Sequence, residues 1–190
     1  MLKIRHYAKP QNVSCYFMDT LILLADKSRL KEIYHLRVRA WQQHGLITID
    51  KYPNGYYDNL DENGFHWIVI KDNQIIASAR LNILSKAEEL PCPETFKRVI
   101  HFDNTPFFFY SRLVIDPAWQ GNRISYLLDE ARIRFIKEHP DIKKVIATAG
   151  IRRAKKLEQY GFEILDKVIE QDDYKSMDDF DTFIIQLRNE

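Results

Sequence analysis

Residues 107–138 read Phe-Phe-Phe-Tyr-Ser-Arg-Leu-Val-Ile-Asp-Pro-Ala-Trp-Gln-Gly-Asn-Arg-Ile-Ser-Tyr-Leu-Leu-Asp-Glu-Ala-Arg-Ile-Arg-Phe-Ile-Lys-Glu. An apolar run stops at Asp116-Pro117, a short loop carries Gly121, and Ile124, Leu127, Leu128, Ala131 and Phe135 then recur at helical spacing. The pattern is strand, tight loop, helix. Such a junction aims free backbone N–H groups and the positive end of a helix dipole at one point, which suits an anion.

Outward from this stretch, strands lie on both sides. Thr20 to Ala25 reads as a strand, and Asp26 or Ser28 can cap the following helix, whose apolar face is Leu30, Ile33, Tyr34, Leu36, Ala40 and Trp41. Residues 50–64 are rich in turn formers and tyrosines and read as a loop, with Asn54-Gly55 and Asn63-Gly64 tolerating positive φ. Phe65 to Lys71 and Gln74 to Leu84 form an antiparallel hairpin around Asp72-Asn73. A polar excursion at 85–104 holds a short helix candidate, Glu94 to Val99. Beyond the helix that Pro140 ends, Lys143 to Thr148 is a strand parallel to the Phe107 strand. Arg152 to Tyr160 is a short helix stopped by Gly161. Phe162 to Ile169 and Thr182 to Leu187 are two last strands around the acidic turn Gln171 to Asp181. The sum is an α+β fold: a mixed central sheet, antiparallel in its first half and parallel at its centre, flanked by about four helices. One domain over residues 1–190 is expected.

Composition narrows the function classes. With 190 residues, 45% hydrophobic and 13% aromatic, the chain can build a substantial core. A net charge of +1 sets up no bulk field for nucleic acid. Cys15 and Cys92 have neither disulfide-framework nor metal-motif spacing and suit a reducing compartment, so the cytoplasm is expected. No run of about 18 apolar residues is present, and no signal-peptide hydrophobic region opens the chain, so membrane insertion is not expected. Gly-x-x-x-x-Gly-Lys loops, Gly-x-Ser-x-Gly elbows and metal-spaced His/Cys sets are missing.

Arg112 to Phe162 resembles the GCN5-related N-acetyltransferase (GNAT) superfamily, and the element order over residues 20–190 agrees with it. In that family a strand ending hydrophobic–hydrophobic–Asp/His–Pro meets the phosphate loop Gln/Arg-x-x-Gly-x-Gly/Ala. Here Leu113-Val114-Ile115-Asp116-Pro117 meets Gln120-Gly121-Asn122-Arg123-Ile124-Ser125. The resemblance implies that N–H groups of residues 121–125 cradle the pyrophosphate of acetyl-CoA or another acyl-CoA, with no metal. It also implies that the strand edge at Leu113, Val114 and Ile115 pairs with the pantetheine arm. Two positions depart from the pattern: Arg123 stands where the family has glycine, and Ser125 where it has Gly or Ala.

Ala154-Lys-Lys-Leu157-Glu-Gln-Tyr160-Gly161-Phe162 looks like the family's Ala-x-x-Leu-Tyr-x-x-x-Gly-Phe segment shortened by one residue. The tyrosine that protonates the departing thiolate falls at Leu157, which leaves Tyr160 as either a general acid or a core residue. Arg152, Arg153, Lys155 and Lys156 read as a solvated helix face with one member in reach of a coenzyme A phosphate. Leu36-Arg37, Tyr57-Asp58-Asn59-Leu60-Asp61 and Ala79-Arg80-Leu81 look like the acyl-homoserine-lactone synthases and related N-acyl amino acid synthases.

The expected activity is acyl transfer from acyl-CoA, acetyl first, to a primary amine by direct attack on the thioester. The partner is a small-molecule or peptide amine, with no nucleic acid, and a homodimer is admitted. Asp61, His66, or Tyr110 through a water are the base candidates, and Arg80 and Tyr57 the acceptor-binding ones; Arg80 either holds an acceptor carboxylate or pairs with Asp58 or Asp61. Two alternatives stand beside it: a long-chain N-acyl amino acid or acyl-homoserine-lactone synthase using acyl carrier protein, and a catalytically silent acyl-CoA-binding domain.

Overall fold

In the computed structural model, which describes residues 15–17, 20–43, 45, 47, 49–168 and 182–188, eight strands form one sheet. They are β1 (Cys15–Phe17), β2 (Thr20–Leu24), β3 (Phe65–Lys71), β4 (Gln74–Leu84), β5 (Phe107–Ile115), β6 (Lys144–Gly150), β7 (Phe162–Lys167) and β8 (Thr182–Leu187). Their order across the sheet is β1-β2-β3-β4-β5-β6-β8-β7, and every pair is antiparallel except β5 with β6. The sequence reading missed β1. The acidic turn at 171–181 and the end of the Phe162 strand at Ile169 lie outside the described residues.

Four α-helices flank the sheet among the described residues: α1 (Leu30–Gln42), α2 (Pro93–Lys97), α3 (Ile124–Lys137) and α4 (Ile151–Leu157). The Asp26 carboxylate accepts from Ser28 N–H at 2.8 Å and so caps a 3-10 turn, Lys27–Arg29, ahead of α1. On one face, Leu128, Ile133, Phe135 and Ile136 of α3 and Ala154 and Leu157 of α4 pack on Ala77, Ala79, Leu81, Phe108 and Tyr110. On the other, Ile33, Leu36 and Ala40 of α1 pack on Ile68, Ile75 and Val114. Asp72 and Asn73 both take positive φ, 48° and 63°, which closes the β3–β4 hairpin in two residues as a primed turn requires.

The sheet is broken at its centre in two ways. Ser78 pairs with Val114 and Arg80 with Ser111, so one residue of β4 faces two of β5, and Arg112 in that bulge is forced to φ 54°. Next to the bulge the parallel ladder stops: β5 and β6 pair only from Phe107↔Lys144 to Tyr110↔Ala147. Beyond that point residues 111–115 and 148–150 are not paired with each other, so the sheet is split there.

The 50–64 loop lies against α1 because Gly55 allows it. At φ 85°, a Cβ there would meet Tyr34 Cβ at 2.5 Å and Tyr34 C at 2.7 Å, and the adjacent Tyr56 N–H donates to the Tyr34 carbonyl at 3.0 Å. Gly55→Ala is expected to cost about 2–4 kcal/mol, from the left-handed backbone and the overpacking together. Thermal denaturation checks this; a shift no larger than that of an exposed glycine substitution contradicts it.

Candidate active site

The loop after β5 starts as the 3-10 turn Pro117–Trp119, where Asp116 accepts from Ala118 N–H at 3.2 Å. Gly121 follows at φ 83° and Arg123 at φ 57°. Arg123 thus adopts the left-handed conformation that explains why glycine is usual at this position, at a cost of about 1–2 kcal/mol. Helix α3 begins directly after it with no side-chain cap. The Asn122 amide donates back to the carbonyls of Trp119 (3.1 Å) and Gln120 (3.3 Å), bracing the loop from outside.

A cavity of about 590 Å³ opens here between β5, the loop, α3 and α4. Leu113, Ile115, Gln120, Gly121, Arg123, Ile124 and Ser125 line it, together with Arg152, Arg153 and Lys156 of α4. Val114 is buried on the opposite face, under α1, and Asn122 is not part of the wall. The cationic residues of α4 are therefore not a uniformly solvated face. Arg152, Arg153 and Lys156 turn to the cavity, and Lys155 is exposed.

Under the cavity lies a buried knot of charge. Asp129 accepts from Tyr110 Oη (2.5 Å), from Arg132 Nη2 (2.8 Å) and from both terminal nitrogens of Arg153, Nη1 at 2.7 Å. Arg132, fully buried, stacks on the Tyr110 ring and donates to the carbonyls of Arg80 (3.3 Å) and Ser111 (3.4 Å) beside the bulge. Its guanidinium thus satisfies carbonyls that a bulge takes out of the regular ladder.

A second cluster occupies the α1 face. Asp61, buried, takes a bidentate Arg37 (2.7 and 2.8 Å) and Arg80 Nη1 (2.7 Å), and accepts Asp58 N–H at 2.9 Å. Asp58 pairs with Arg80 (2.5 Å) and with Arg112, whose Nε and Nη2 reach it at 3.1 and 2.6 Å. Arg80 Nε also donates to Ser111 Oγ at 3.1 Å. The bulge turns consecutive residues, Ser111 and Arg112, into the same cluster; regular alternation would send them to opposite faces. The Asn82 amide fixes the loop by donating to the Leu60 carbonyl at 2.7 Å.

None of the four sequence-derived catalytic candidates lines the cavity. Burial alone would raise the Asp61 pKa, but the Arg37 and Arg80 guanidiniums hold it far below the usual carboxylate range, so this carboxylate is a poor base. Burial pushes the Tyr110 hydroxyl up, and Asp129 keeps it a donor. Tyr160 ends a 3-10 turn, Glu158–Tyr160, whose 120° advance per residue carries it behind Tyr126; the rings are 6.4 Å apart and only Tyr126 reaches the cavity. Its hydroxyl is enclosed with no partner in hydrogen-bond geometry among the described residues, and burial with the nearby Glu130 carboxylate pushes its pKa up. Tyr57, 59% exposed, stacks on Tyr34 outside the cluster.

His66 is buried beside Asp61, its Nε2 3.0 Å from the Asp61 carbonyl. Burial pushes its pKa from 6.5 to about 4, against the carbonyl, which favours the protonated ring. Between those values the unfolded chain takes a proton that the folded chain refuses. Stability is therefore expected to fall as pH drops from 6.5 to 4, by about 1.4 kcal/mol per unit from this residue. Denaturant titrations between pH 7 and pH 5 check it, and His66→Gln should remove that part of the slope.

A family model, N-acyl amino acid synthase FeeM, matches residues 32–180. The chain belongs to this FeeM family. No curated protein matches it by sequence. Solved structures similar to it include the acyl-homoserine-lactone synthase LasI (17% identity, TM-score 0.61, covering 89% of this chain and 90% of that one). A GNAT acetyltransferase from Streptococcus pneumoniae has 15% identity and a TM-score of 0.59, with 88% and 97% covered. BjaI, described as a CoA-dependent acyl-homoserine lactone synthase with SAM and isopentyl-CoA, has 15% identity and a TM-score of 0.60, with 85% and 77% covered. At these identities the structures establish the GNAT fold.

This FeeM-family member is thus an N-acyltransferase of GNAT fold, acting on an amine. Among its described residues no helix is long and apolar enough to cross a membrane, and no group of three or more His, Cys, Asp or Glu is placed to hold a metal ion. The sequence reading missed Asp129, Arg132, Arg153 and Arg112 as network members. One signal for Arg132 was available: it lies four residues after Leu128, on the apolar face of α3, where a charge must be paired.

Proposed function

We propose that the chain transfers an acyl group from acyl-CoA to the amino group of an amino acid. The observation that carries this is the cavity at the phosphate loop, walled by Arg123, Arg152, Arg153 and Lys156 and by Leu113 and Ile115 of β5, which lie past the last residue that β5 pairs with β6. Three cations, with Arg153 already paired to Asp129, and the free N–H groups at the start of α3 suit a pyrophosphate and a further phosphate. Unpaired strand edges along the split suit the amides of a pantetheine arm. Membership in an N-acyl amino acid synthase family supports an amino acid as acceptor.

The chemistry asks little of side chains. A neutral amine attacks the thioester carbonyl, the C–N bond forms, the C–S bond breaks, and the amine's proton passes to water. A thiol with a pKa of about 8.5 leaves readily near neutral pH, so a dedicated acid is not required. With Asp61 held ionised, Tyr110 protonated and His66 enclosed, the amine itself limits the rate. The expected pH profile of kcat/KM rises with unit slope to the acceptor amine's own pKa, with no plateau between pH 6 and 7. Thiol-release assays across pH check it; a plateau in that interval would reveal a base.

Titration calorimetry with coenzyme A tests the donor. Gly121 lines the cavity at φ 83° with nothing within 4 Å of an added Cβ, so Gly121→Trp puts both bulk and left-handed backbone strain on the loop and should abolish binding. Unchanged affinity in that variant, or no binding by the native chain, overturns the reading. A carrier-protein donor is the second reading, favoured by the exposed Arg152, Lys155 and Lys156 of α4. Turnover of acyl carrier protein with none of any acyl-CoA, from acetyl to palmitoyl, would decide for it.

A further inference from the structure

The cluster on the α1 face is short of one negative charge. It holds three guanidiniums, Arg37, Arg80 and Arg112, against two carboxylates, Asp58 and Asp61. His66 does not repair the balance, because burial keeps it neutral above about pH 4. Arg37 and Arg80 are fully buried and committed to the two aspartates. The excess charge is therefore available to a ligand only at Arg112, whose side chain is 19% exposed.

Arg112 is also the partly exposed member with a spare donor, whereas the unused Nε of Arg37 is fully enclosed. Asp58 takes its Nε and Nη2, and no partner among the described residues takes Nη1. Trp41 and Tyr56 hold the guanidinium, their ring centroids 5.6 and 5.0 Å from its central carbon, so it stays aimed without further hydrogen bonds. Its place in the chain matters as much. Arg112 is two residues past Tyr110, the last β5 residue paired with β6, so its Cα lies within about 7 Å of the apex of the split. The donor cavity lies on the α3 and α4 side of the sheet and Arg112 reaches to the α1 side, so an acceptor held here meets the split from the face opposite the donor.

We infer that Arg112 binds the α-carboxylate of the acceptor, through the guanidinium edge that Asp58 leaves free, and so selects amino acids over simple amines and peptide amides. This rests on the reading of the chain as an N-acyl amino acid synthase. A monovalent carboxylate matches the single missing charge, and a guanidinium pre-aligned by Asp58 and two aromatic rings binds it with little ordering cost.

The test compares L-amino acids with their carboxamides, which keep the amine and lose the charge, in thiol-release assays with an acyl-CoA series. The native chain is expected to favour the acid by at least about 100-fold in kcat/KM, chiefly through KM. In Arg112→Gln that ratio should collapse toward parity, and Arg112→Lys should restore part of it. Equal use of acid and amide by the native chain overturns the inference without any variant, and so does an undiminished preference in Arg112→Gln. If no amino acid is acylated by any donor, the reading of the function fails, and calorimetry with free L-amino acids then decides the site. Binding that Arg112→Gln removes upholds it, and no binding overturns it.

Discussion

Asp61→Ala is expected to cost about 3–5 kcal/mol of folding stability. Two fully buried guanidiniums, Arg37 and Arg80, meet on this one carboxylate, and its Oδ2 also takes the Asp58 N–H that closes the turn. Without it the cluster holds three guanidiniums against Asp58 alone, inside the protein, where desolvation is not repaid. Asp61→Asn should fall between, since an amide retains only one acceptor oxygen. Denaturant midpoints check both. A loss under about 1 kcal/mol would mean the cluster behaves like a surface ion pair.

Asp129→Ala should have a comparable cost, about 3–5 kcal/mol, for the same reason on the other face. The functional signature differs. Asp129 anchors Tyr110 and Arg132, and Arg132 supports the carbonyls of Arg80 and Ser111 at the bulge. Losing that support misplaces the apex of the split, and kcat is expected to fall about 100-fold. Coenzyme A affinity should not fall with it, because removing a carboxylate leaves the cavity more positive. Calorimetry beside steady-state kinetics separates the two, and a fall in affinity as large as the fall in kcat contradicts this account.

Much of the fold was legible in the sequence because it rests on local rules. The Phe107 strand, its loop and α3 follow from a change of hydrophobic period, and the Asp72-Asn73 hairpin from two residues that tolerate positive φ. The wall of the donor cavity was legible for a related reason: a strand-to-helix junction concentrates free N–H groups wherever it occurs. Arg123 was visible as a departure, and its φ of 57° shows what the usual glycine is for.

The site failed to be legible where one residue shifts a register. A bulge adds one residue to β5, and side chains beyond it change faces, so Arg112 joins Asp58 while Val114 turns under α1. A 3-10 turn at the end of α4 moves Tyr160 off the cavity in the same way. Asp61, His66 and Tyr110 are polar residues near the centre of the fold, which made them candidates as bases. Whether a polar group is a base or a structural partner depends on neighbours distant in sequence: Arg37 is 24 residues from Asp61, and Asp129 is 19 from Tyr110.

Residue order alone was enough for the mixed sheet, the helices and the position of the phosphate loop, since periodicity, turn chemistry and helix ends are set within a few residues of each other. Folding chose which charges meet. Five charged residues from α1, the 50–64 loop, β4 and β5 converge on one face, and Asp129, Arg132 and Arg153 on the other. Those contacts span the chain, and their partners are selected by desolvation and by a one-residue bulge, neither of which leaves a periodic trace in the sequence.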